Sequence, residues 1–255
     1  MKSKSVQVLV LASVAACGAA FAQAPAAPAA PTPEYTMAYN VGVVTDYRFR
    51  GISQSRLNPA LQGGADFTHK SGLYLGVWAS TIRILTDIPG GKGPVELDFY
   101  GGYRGNINAD VAYDVGLLRY QYPRENFPTT VNTTELYGAL TFGPATLKYS
   151  HSIGSETFGV ANSRNSGYLE AAATFDLGSG FSIVPHIGHQ RFAGTGNGIA
   201  SYTDYSVGLN KDLGKGLVAS ATVYGTDADK GFYASPVNGK FLGRSGLVLG
   251  LKYNF

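Results

Sequence analysis

The chain has almost no cysteine. Cys17 is the single cysteine among 255 residues, and it lies before the cleavage point that the N-terminal sequence predicts. A mature chain without it has no thiol, which excludes a disulfide framework and a cysteine-based metal site. The stability of an exported chain of this kind must therefore come from other interactions.

Long hydrophobic runs and charge are also scarce. No segment after the N-terminus has eighteen consecutive apolar residues, so the sequence predicts no transmembrane helix. Charged residues make up 15% of the chain, whereas glycine (34) and tyrosine (17) are abundant. This composition is typical of a β-barrel with one lipid-facing and one hydrated surface.

The net charge is too small for a nucleic-acid-binding surface. The full chain has 20 basic and 17 acidic residues, or +3. Removal of Lys2 and Lys4 with a leader leaves 18 basic and 17 acidic residues, or +1. We expect no nucleic-acid partner.

The N-terminus predicts export. A short basic segment, an apolar stretch over residues 6–16 and Ala20-Phe21-Ala22 fit a signal peptide over residues 1–22, cleaved after Ala22. Val14-Ala15-Ala16-Cys17 also resembles a bacterial lipobox, which leaves lipidation of Cys17 as an alternative. Residues 23–34 form a Pro/Ala-rich linker, expected in the periplasm, and residues 35–255 form the predicted barrel.

The last ten residues, "GLVLGLKYNF", alternate in hydrophobicity. Every second residue from Leu247 to Phe255 is apolar, which indicates a strand with one hydrophobic face. An exposed edge strand of a soluble sandwich normally carries charge or proline, whereas barrel closure removes the edge. The ending thus favours a membrane barrel, with a soluble sandwich as the alternative.

The chain after the linker predicts twelve antiparallel strands. Their approximate ranges are 36–50, 60–69, 73–81, 95–104, 111–121, 133–142, 146–154, 166–177, 181–190, 201–211, 217–225 and 244–255. Short turns such as "HKSG" alternate with long connections such as "IRILTDIPGGKGP". Short turns on one side and long loops on the other are typical of an outer-membrane up-and-down barrel.

The predicted register assigns residues to faces and rims. In the first strand, the outward face is expected to hold Met37, Tyr39, Val41, Val43, Tyr47 and Phe49. An even strand number places both termini on the short-turn side. Aromatic side chains prefer that rim, where we expect Phe67, Tyr103, Phe142, Phe175, Phe181 and Phe255.

Several blocks resemble the TorF-type porin family. The strongest similarity lies in "TDYRFRGISQ" and "GLYLGVWAS", and further blocks are "TELYGALTFGP" and "YTDYSVGLNKDLGKG". The resemblance extends over nearly the whole mature chain. It implies a bacterial outer-membrane location and a pore, and it implies little about the substrate.

The inward face should line a polar lumen. The predicted pore-lining residues are Asp98, Tyr100, Tyr137, Lys148, Tyr168, Glu170 and His186. The outer mouth is expected to contain Asp46, Arg48, Arg50, Glu96, Glu135 and Asp204, and the inner mouth Asp66, Arg104, Asp114, Asp176 and Lys252. Rings of charge set ion preference in pores, but opposite charges could instead pair and brace the wall.

The inward glycines have two interpretations. Gly42, Gly64, Gly76, Gly116, Gly188, Gly208 and Gly250 fall on the predicted inward face. Small residues there leave room for water, or they relieve backbone strain in a small, curved barrel. The long-loop side is more basic than acidic, which suits anionic lipid headgroups or a weak funnel for anions.

Patterns for catalysis are weak. His151 and Ser152 are adjacent on a strand, and His186 and His189 are three apart, so each pair points to opposite faces. We therefore expect no enzyme activity, no metal site and no cofactor. Tyr74 and Trp78 share a face and form either an aromatic track for sugars or packing and girdle residues.

The sequence thus predicts an outer-membrane channel for passive diffusion of small polar or charged solutes. The alternative is a closed structural or adhesive barrel that presents its loops, and a membrane-embedded hydrolase is more distant. A loop folded inward would favour the channel. The expected partners are outer-membrane lipids, small polar solutes and the barrel-assembly machinery, with Tyr253 and Phe255 as part of the insertion signal.

Overall fold

The computed structural model describes residues 33–255. The predicted signal peptide, Cys17 and residues 23–32 of the linker lie outside the described residues. No helix within the described part of the chain is both long and apolar enough to cross a membrane.

Strands dominate the described chain. They are β1 Tyr35–Val44, β2 Arg48–Phe49, β3 Ile52–Ser53, β4 Ala60–His69, β5 Leu73–Thr81, β6 Val95–Asn106, β7 Val111–Gln121, β8 Thr133–Phe142, β9 Ala145–Ser152, β10 Gly167–Ala173, β11 Phe175–Gly178, β12 Phe181–Arg191, β13 Tyr202–Gly214, β14 Leu217–Thr226 and β15 Gly246–Asn254. One 3₁₀ turn, Asn197–Ala200, precedes β13.

The strands close into an antiparallel barrel. Each wall strand pairs with its neighbours in the chain, β1 pairs with β15, and β10 pairs with both β9 and β12. β10 and β11 together form one interrupted wall strand, so the wall has twelve strands. This confirms the predicted closed up-and-down architecture.

The two faces of the wall differ in chemistry. Along β15, Leu247, Leu249, Leu251 and Tyr253 are 44–60% exposed, whereas Val248 between them is 7% exposed. Most of the other wall strands alternate in the same way, with apolar side chains outward and mostly polar or small side chains inward. A continuous apolar outer band is the surface that hydrocarbon covers around an outer-membrane barrel.

The rims also differ. The connections after β4, β6, β8, β11 and β13 are tight turns, and those after β1, β5, β7, β9, β12 and β14 are longer loops. Phe255 lies at the short-turn rim, where its backbone pairs with that of Tyr39 and the two rings stack at 5.7 Å. Phe142 and Phe175 are exposed at this rim as well.

The first predicted strand is too long. β1 ends at Val44, and residues 45–59, here called the inward loop, turn into the barrel instead of continuing the wall. Tyr47 is 5% exposed, so the predicted outward position of Tyr47 and Phe49 is wrong. The small hairpin β2–β3 inside this loop turns at Arg50 and Gly51, which have φ of 47° and 79°.

The change of direction has a local electrostatic cause. Asp46 is 7% exposed, and its carboxylate accepts hydrogen bonds from Ser53 Oγ at 2.5 Å and Ser55 Oγ at 3.0 Å. Ser55 Oγ also accepts the backbone N–H of Tyr47 at 2.9 Å. These contacts close the loop on itself and satisfy backbone groups that an extended strand would have paired with a neighbour.

Candidate functional site in the barrel lumen

Arg48 joins the inward loop to the last long loop. Its Nε lies 2.5 Å from Asp46 Oδ2, and its Nη1 donates to the carbonyl oxygens of Leu242 at 3.1 Å and Arg244 at 3.0 Å. The side chain is almost fully buried. Arg48 and Asp46 therefore neutralise each other within the loop. The prediction that they belong to a charged ring at the outer mouth is wrong.

Arg50 reaches from the inward loop to the opposite wall. Its Nη1 and Nη2 donate to the two carboxylate oxygens of Glu135 at 3.0 and 2.7 Å, and Nη1 also lies 2.5 Å from Gln190 Oε1. The guanidinium carbon lies 4.1 Å from the Tyr168 ring centroid and 5.6 Å from that of Phe158. Bidentate pairing and cation–π contact together fix the loop across the lumen.

Aromatic packing fills the space beside the contact of Arg50 with Glu135, here called the clamp. Tyr47 contacts Trp78 edge-on at 5.3 Å and donates its hydroxyl hydrogen bond to Glu96 at 3.2 Å. Phe49 packs edge-on against Tyr120 and Phe158, at 5.3 Å in each case. The inward loop therefore narrows the long-loop half of the lumen.

A further ion pair holds the inward loop to the neighbouring loop at residues 82–94. Arg56 Nη1 lies 2.9 Å from Asp87 Oδ1. Burial raises the pKa of Asp87, and the positive charges of Arg56 and Arg83 oppose that rise. This pair joins two long loops, whereas Arg50 and Phe49 join the inward loop to the far wall.

A polar chain crosses the wall next to Arg50. Lys148 Nζ lies 3.9 Å from Glu170 Oε1, and His186 Nε2 lies 3.2 Å from Glu170 Oε2. His186 Nδ1 lies 3.6 Å from Asp204 Oδ1, and the Tyr168 hydroxyl donates to Asp204 Oδ2 at 2.8 Å. Lys148 and Glu170 thus brace adjacent strands, which matches the pairing alternative drawn from the sequence.

Two carboxylates differ from this braced set. Glu96 and Asp98 follow each other on the inward face of β6 and are 0% and 2% exposed. Glu96 Oε2 and Asp98 Oδ1 are buried without a hydrogen-bond partner among the described residues. Neither carboxyl group forms an ion pair within residues 33–255, so neither has a cationic partner there.

A cavity of about 160 Å³ lies beneath the inward loop. It is bounded by Tyr47, Arg48, Phe49, Arg50, Gly51, Asp98, Tyr120, Tyr168, Glu170, His186, Asp204, Ser206 and Tyr224. The inward loop forms one side of it, and residues of six wall strands, β6, β7, β10, β12, β13 and β14, form the others. The predicted pore-lining residues Asp98, Tyr168, Glu170 and His186 therefore meet around one space.

The short-turn half of the lumen has a different arrangement. The Tyr74 hydroxyl hydrogen-bonds to both Asp114 and Tyr137, and the Tyr100 hydroxyl donates to Asp66 at 2.5 Å. These tyrosines lie across the wall and satisfy the carboxylates. Asp114 is thus engaged by Tyr74, so the predicted inner mouth is a hydrogen-bonded network in this region.

Several inward glycines lie opposite aromatic rings. Gly76 pairs with Tyr100 and Gly116 with Tyr137. A Cβ atom at Gly76 would lie 2.3 Å from the Tyr100 ring, and one at Gly116 would lie 2.6 Å from the Tyr137 hydroxyl. The rings occupy the space that the missing side chains leave, so these glycines serve packing of tyrosine across the sheet.

The sequence prediction missed some residues of the site. Gln190 lies four residues after His186 on the same inward face of β12, so strand alternation could have identified it. Phe158 lies in a loop, where no periodicity assigns a direction. Tyr74 and Trp78, considered as an aromatic track, are both engaged in packing or hydrogen bonds.

The adjacent residues His151 and Ser152 lie on opposite faces of the wall. His151 lies 3.2 Å from the Tyr149 hydroxyl on the outer side, whereas Ser152 is fully buried and accepts a hydrogen bond from Thr157 Oγ1 at 2.8 Å. In the part of the chain from residue 33 onwards, no group of three or more His, Cys, Asp or Glu side chains is arranged to hold a metal ion.

Solved structures share this architecture. The KdgM porin superposes with a TM-score of 0.55 at 9% sequence identity, over 86% of this chain and 98% of that chain. A second structure, of the KdgM porin in complex with disordered oligogalacturonate, gives 0.54 over the same shares at 9% identity. OccAB3 of Acinetobacter baumannii gives 0.41 at 14% identity, over 88% of this chain and 65% of that chain. At these identities, the KdgM similarity establishes the fold.

Comparison with curated proteins finds no match. A family model does match, over residues 27–255, which is nearly all of the chain after the predicted leader. Its description is "Bacterial protein of unknown function (Gcw_chp)". The chain belongs to this Gcw_chp family, a group of bacterial proteins of unknown function whose member described here folds as a closed twelve-stranded porin-like barrel.

Proposed function

We propose that this protein is an outer-membrane channel for passive diffusion of small polar or charged solutes. The observation that carries the proposal is the inward loop, which lies inside a closed barrel and borders a cavity of about 160 Å³. A loop folded into the lumen sets the width of a path through the barrel, whereas loops ordered outward would favour a loop-presenting barrel.

The outer face supports the membrane location. Apolar side chains form a band around the barrel, and aromatic side chains such as Phe142 and Phe255 lie at the short-turn rim. These are the features of a bacterial outer-membrane barrel. The proposal includes export with cleavage after Ala22, for which the N-terminal residues are the support. It also includes contact with outer-membrane lipids and assembly by the barrel-assembly machinery.

The charges around the clamp favour cations. Glu96, Asp98, Glu135, Glu170 and Asp204 supply five carboxyl groups, and Arg50 and Lys148 supply two basic groups. With all seven groups ionised and His186 neutral, the balance is −3. A charge in a narrow lumen acts through a lower effective dielectric than one at a wide mouth, so these groups should dominate ion preference.

The channel is tested by conductance of the purified barrel in a planar bilayer. A salt gradient should give a reversal potential that indicates cation preference. The double variant Asp98→Asn/Glu170→Gln should move it toward anions. Exposed Lys230 and Lys240, changed to Gln, should move it far less, because exposed charges are screened within about 8 Å at physiological ionic strength. Unchanged selectivity in the acid-to-amide variant would contradict the assignment.

A closed barrel that presents its loops is the second candidate. It is favoured by the dense packing of Tyr47, Phe49, Tyr120 and Phe158, which resembles a core more than a passage. Absence of conductance from a correctly folded preparation would support it. A folded barrel is recognised independently by its heat-modifiable migration.

A further inference from the structure

The lumen contains a buried carboxyl group that has an oxygen atom without a partner among the described side chains. Asp98 borders the cavity, is 2% exposed, and has an Oδ1 atom without a hydrogen-bond partner among the described residues. A buried carboxylate without a partner is costly, because the loss of hydration is not repaid by hydrogen bonds or an opposite charge. Either a proton or a bound cation removes that cost.

The neighbouring charges do not supply the partner. Arg48 is paired with Asp46, and Arg50 is paired with Glu135. Lys148 and His186 contact Glu170, and His186 also contacts Asp204. Glu96, two residues before Asp98 on the same face, places a second buried carboxyl group beside it. The region around Asp98 therefore attracts positive charge.

The same lumen already holds a guanidinium group. Arg50 donates two hydrogen bonds to the Glu135 carboxylate and one to the Gln190 side-chain oxygen, and it packs against the face of Tyr168. The cavity next to it offers corresponding elements, with the Asp98 carboxyl group and the ring of Tyr120 in its lining. A planar cation needs this combination of carboxylate and aromatic surface.

We propose that the cavity beneath the inward loop is a binding site for a small organic cation of the guanidinium class, with Asp98 as its anionic contact. The volume of about 160 Å³ is below the range of about 300–1,000 Å³ typical of drug-sized ligands, so it suits a small group or the end of a longer molecule. The inference rests on the proposed channel function, because the ligand reaches the cavity through the lumen.

The chain provides its own reporter for this site. Trp78 is the single tryptophan, and it pairs directly with Asp98 across β5 and β6. Its fluorescence in the purified full-length mature barrel, held in detergent micelles, can follow a titration with methylguanidinium chloride. Sodium chloride at equal ionic strength controls for charge screening, and N-methylurea controls for shape without charge.

Wild-type protein should show a saturable change with methylguanidinium and none with N-methylurea. Asp98→Asn should weaken apparent binding about tenfold or more, as expected for loss of a hydrogen bond between charged groups. Asp98→Glu should retain binding better than Asp98→Asn. The matched control is Asp110→Asn, which removes an exposed carboxylate at a short turn and should leave binding unchanged.

Two results would overturn the proposal. One is a wild-type response to methylguanidinium no larger than that to sodium chloride or N-methylurea. The other is equal affinity in wild type and a folded Asp98→Asn variant. If that variant fails to fold, the difference between the wild-type responses to methylguanidinium and to N-methylurea tests the proposal.

Conductance of the same preparation separates this proposal from the channel function. A conducting barrel without saturable binding refutes the cation site alone. Saturable binding in a barrel that does not conduct refutes the channel and leaves the cavity as a ligand site.

Discussion

The two halves of the lumen are built by different means. In the long-loop half, the inward loop brings Arg50 to Glu135 and packs Tyr47 and Phe49 against the wall. In the short-turn half, wall residues alone fill the space, with tyrosine hydroxyls on carboxylates and tyrosine rings over glycines. The first half therefore depends on a few long-range contacts, and the second on the regular register of the sheet.

The largest effect should follow from breaking the Arg50–Glu135 pair. The two side chains are 7% and 1% exposed, and Arg50→Ala leaves the Glu135 carboxylate buried without its cation. We expect a loss of about 3–5 kcal/mol in the free energy of unfolding, measured by denaturant titration in lipid vesicles. The variant Arg50→Gln/Glu135→Gln should recover much of this loss. Equal loss in both variants would show that the charge pairing is not the cause.

The outer and inner faces of the wall can be compared at neighbouring strands. Leu249 faces outward on β15, and Thr222 faces inward on β14. Leu249→Arg should cost about 2–4 kcal/mol, because it places a charge in the middle of the hydrocarbon layer. Thr222→Arg should cost clearly less. The same unfolding assay measures both variants. An equal loss in the free energy of unfolding for Leu249→Arg and Thr222→Arg would contradict the assigned faces.

A smaller effect should come from the tyrosine-over-glycine packing of the wall. A Cβ at Gly116 would lie 2.6 Å from both the Gly101 carbonyl oxygen and the Tyr137 hydroxyl. Gly116→Ala should therefore destabilise by about 1–3 kcal/mol, in the range of overpacking. Gly138→Ala is the control on the facing strand, where the nearest atom would be 4.0 Å away. A neutral Gly116→Ala would mean that the ring can move aside at little cost.

The smallest effect on the fold itself should come from the C-terminal residue. Phe255 pairs with Tyr39 through its backbone and stacks on its ring at the rim, so its deletion removes few contacts. We nevertheless expect a lower amount of folded barrel in the outer membrane, because a C-terminal aromatic is expected to be part of the insertion signal. Heat-modifiable migration of membrane fractions measures this, and unchanged yield would contradict the signal.

The same contrast explains what the sequence could predict. Wall strands alternate with period two, and this alternation placed β4, β5 and β8 at their observed bounds and put Asp98 and Glu170 on one face. The inward loop has no such period. Asp46, Arg48 and Arg50 continue the alternation of β1, so they were assigned to the wall, although side-chain hydrogen bonds of Asp46 turn the chain inward.

The partners of the lumenal residues were less predictable than their faces. The pairing of Arg50 with Glu135 joins residues 85 positions apart through a loop whose path is set by tertiary contacts. Pairing of Lys148 with Glu170 follows from strand register, and the sequence left it open as an alternative to a ring of charge. Periodicity thus predicts direction, and contacts made by loops require the folded chain.

The most direct test of the account is the single-channel conductance of wild type beside Arg50→Gln/Glu135→Gln. The central claim is that the inward loop narrows a lumen through which small solutes pass, and that Arg50 holds it in place. We expect small conducting steps for wild type and larger ones for the double variant. Arg56→Gln, in the loop-to-loop pair, should stay closer to wild type. No conductance from either folded barrel, or equal steps from wild type and the double variant, would contradict it.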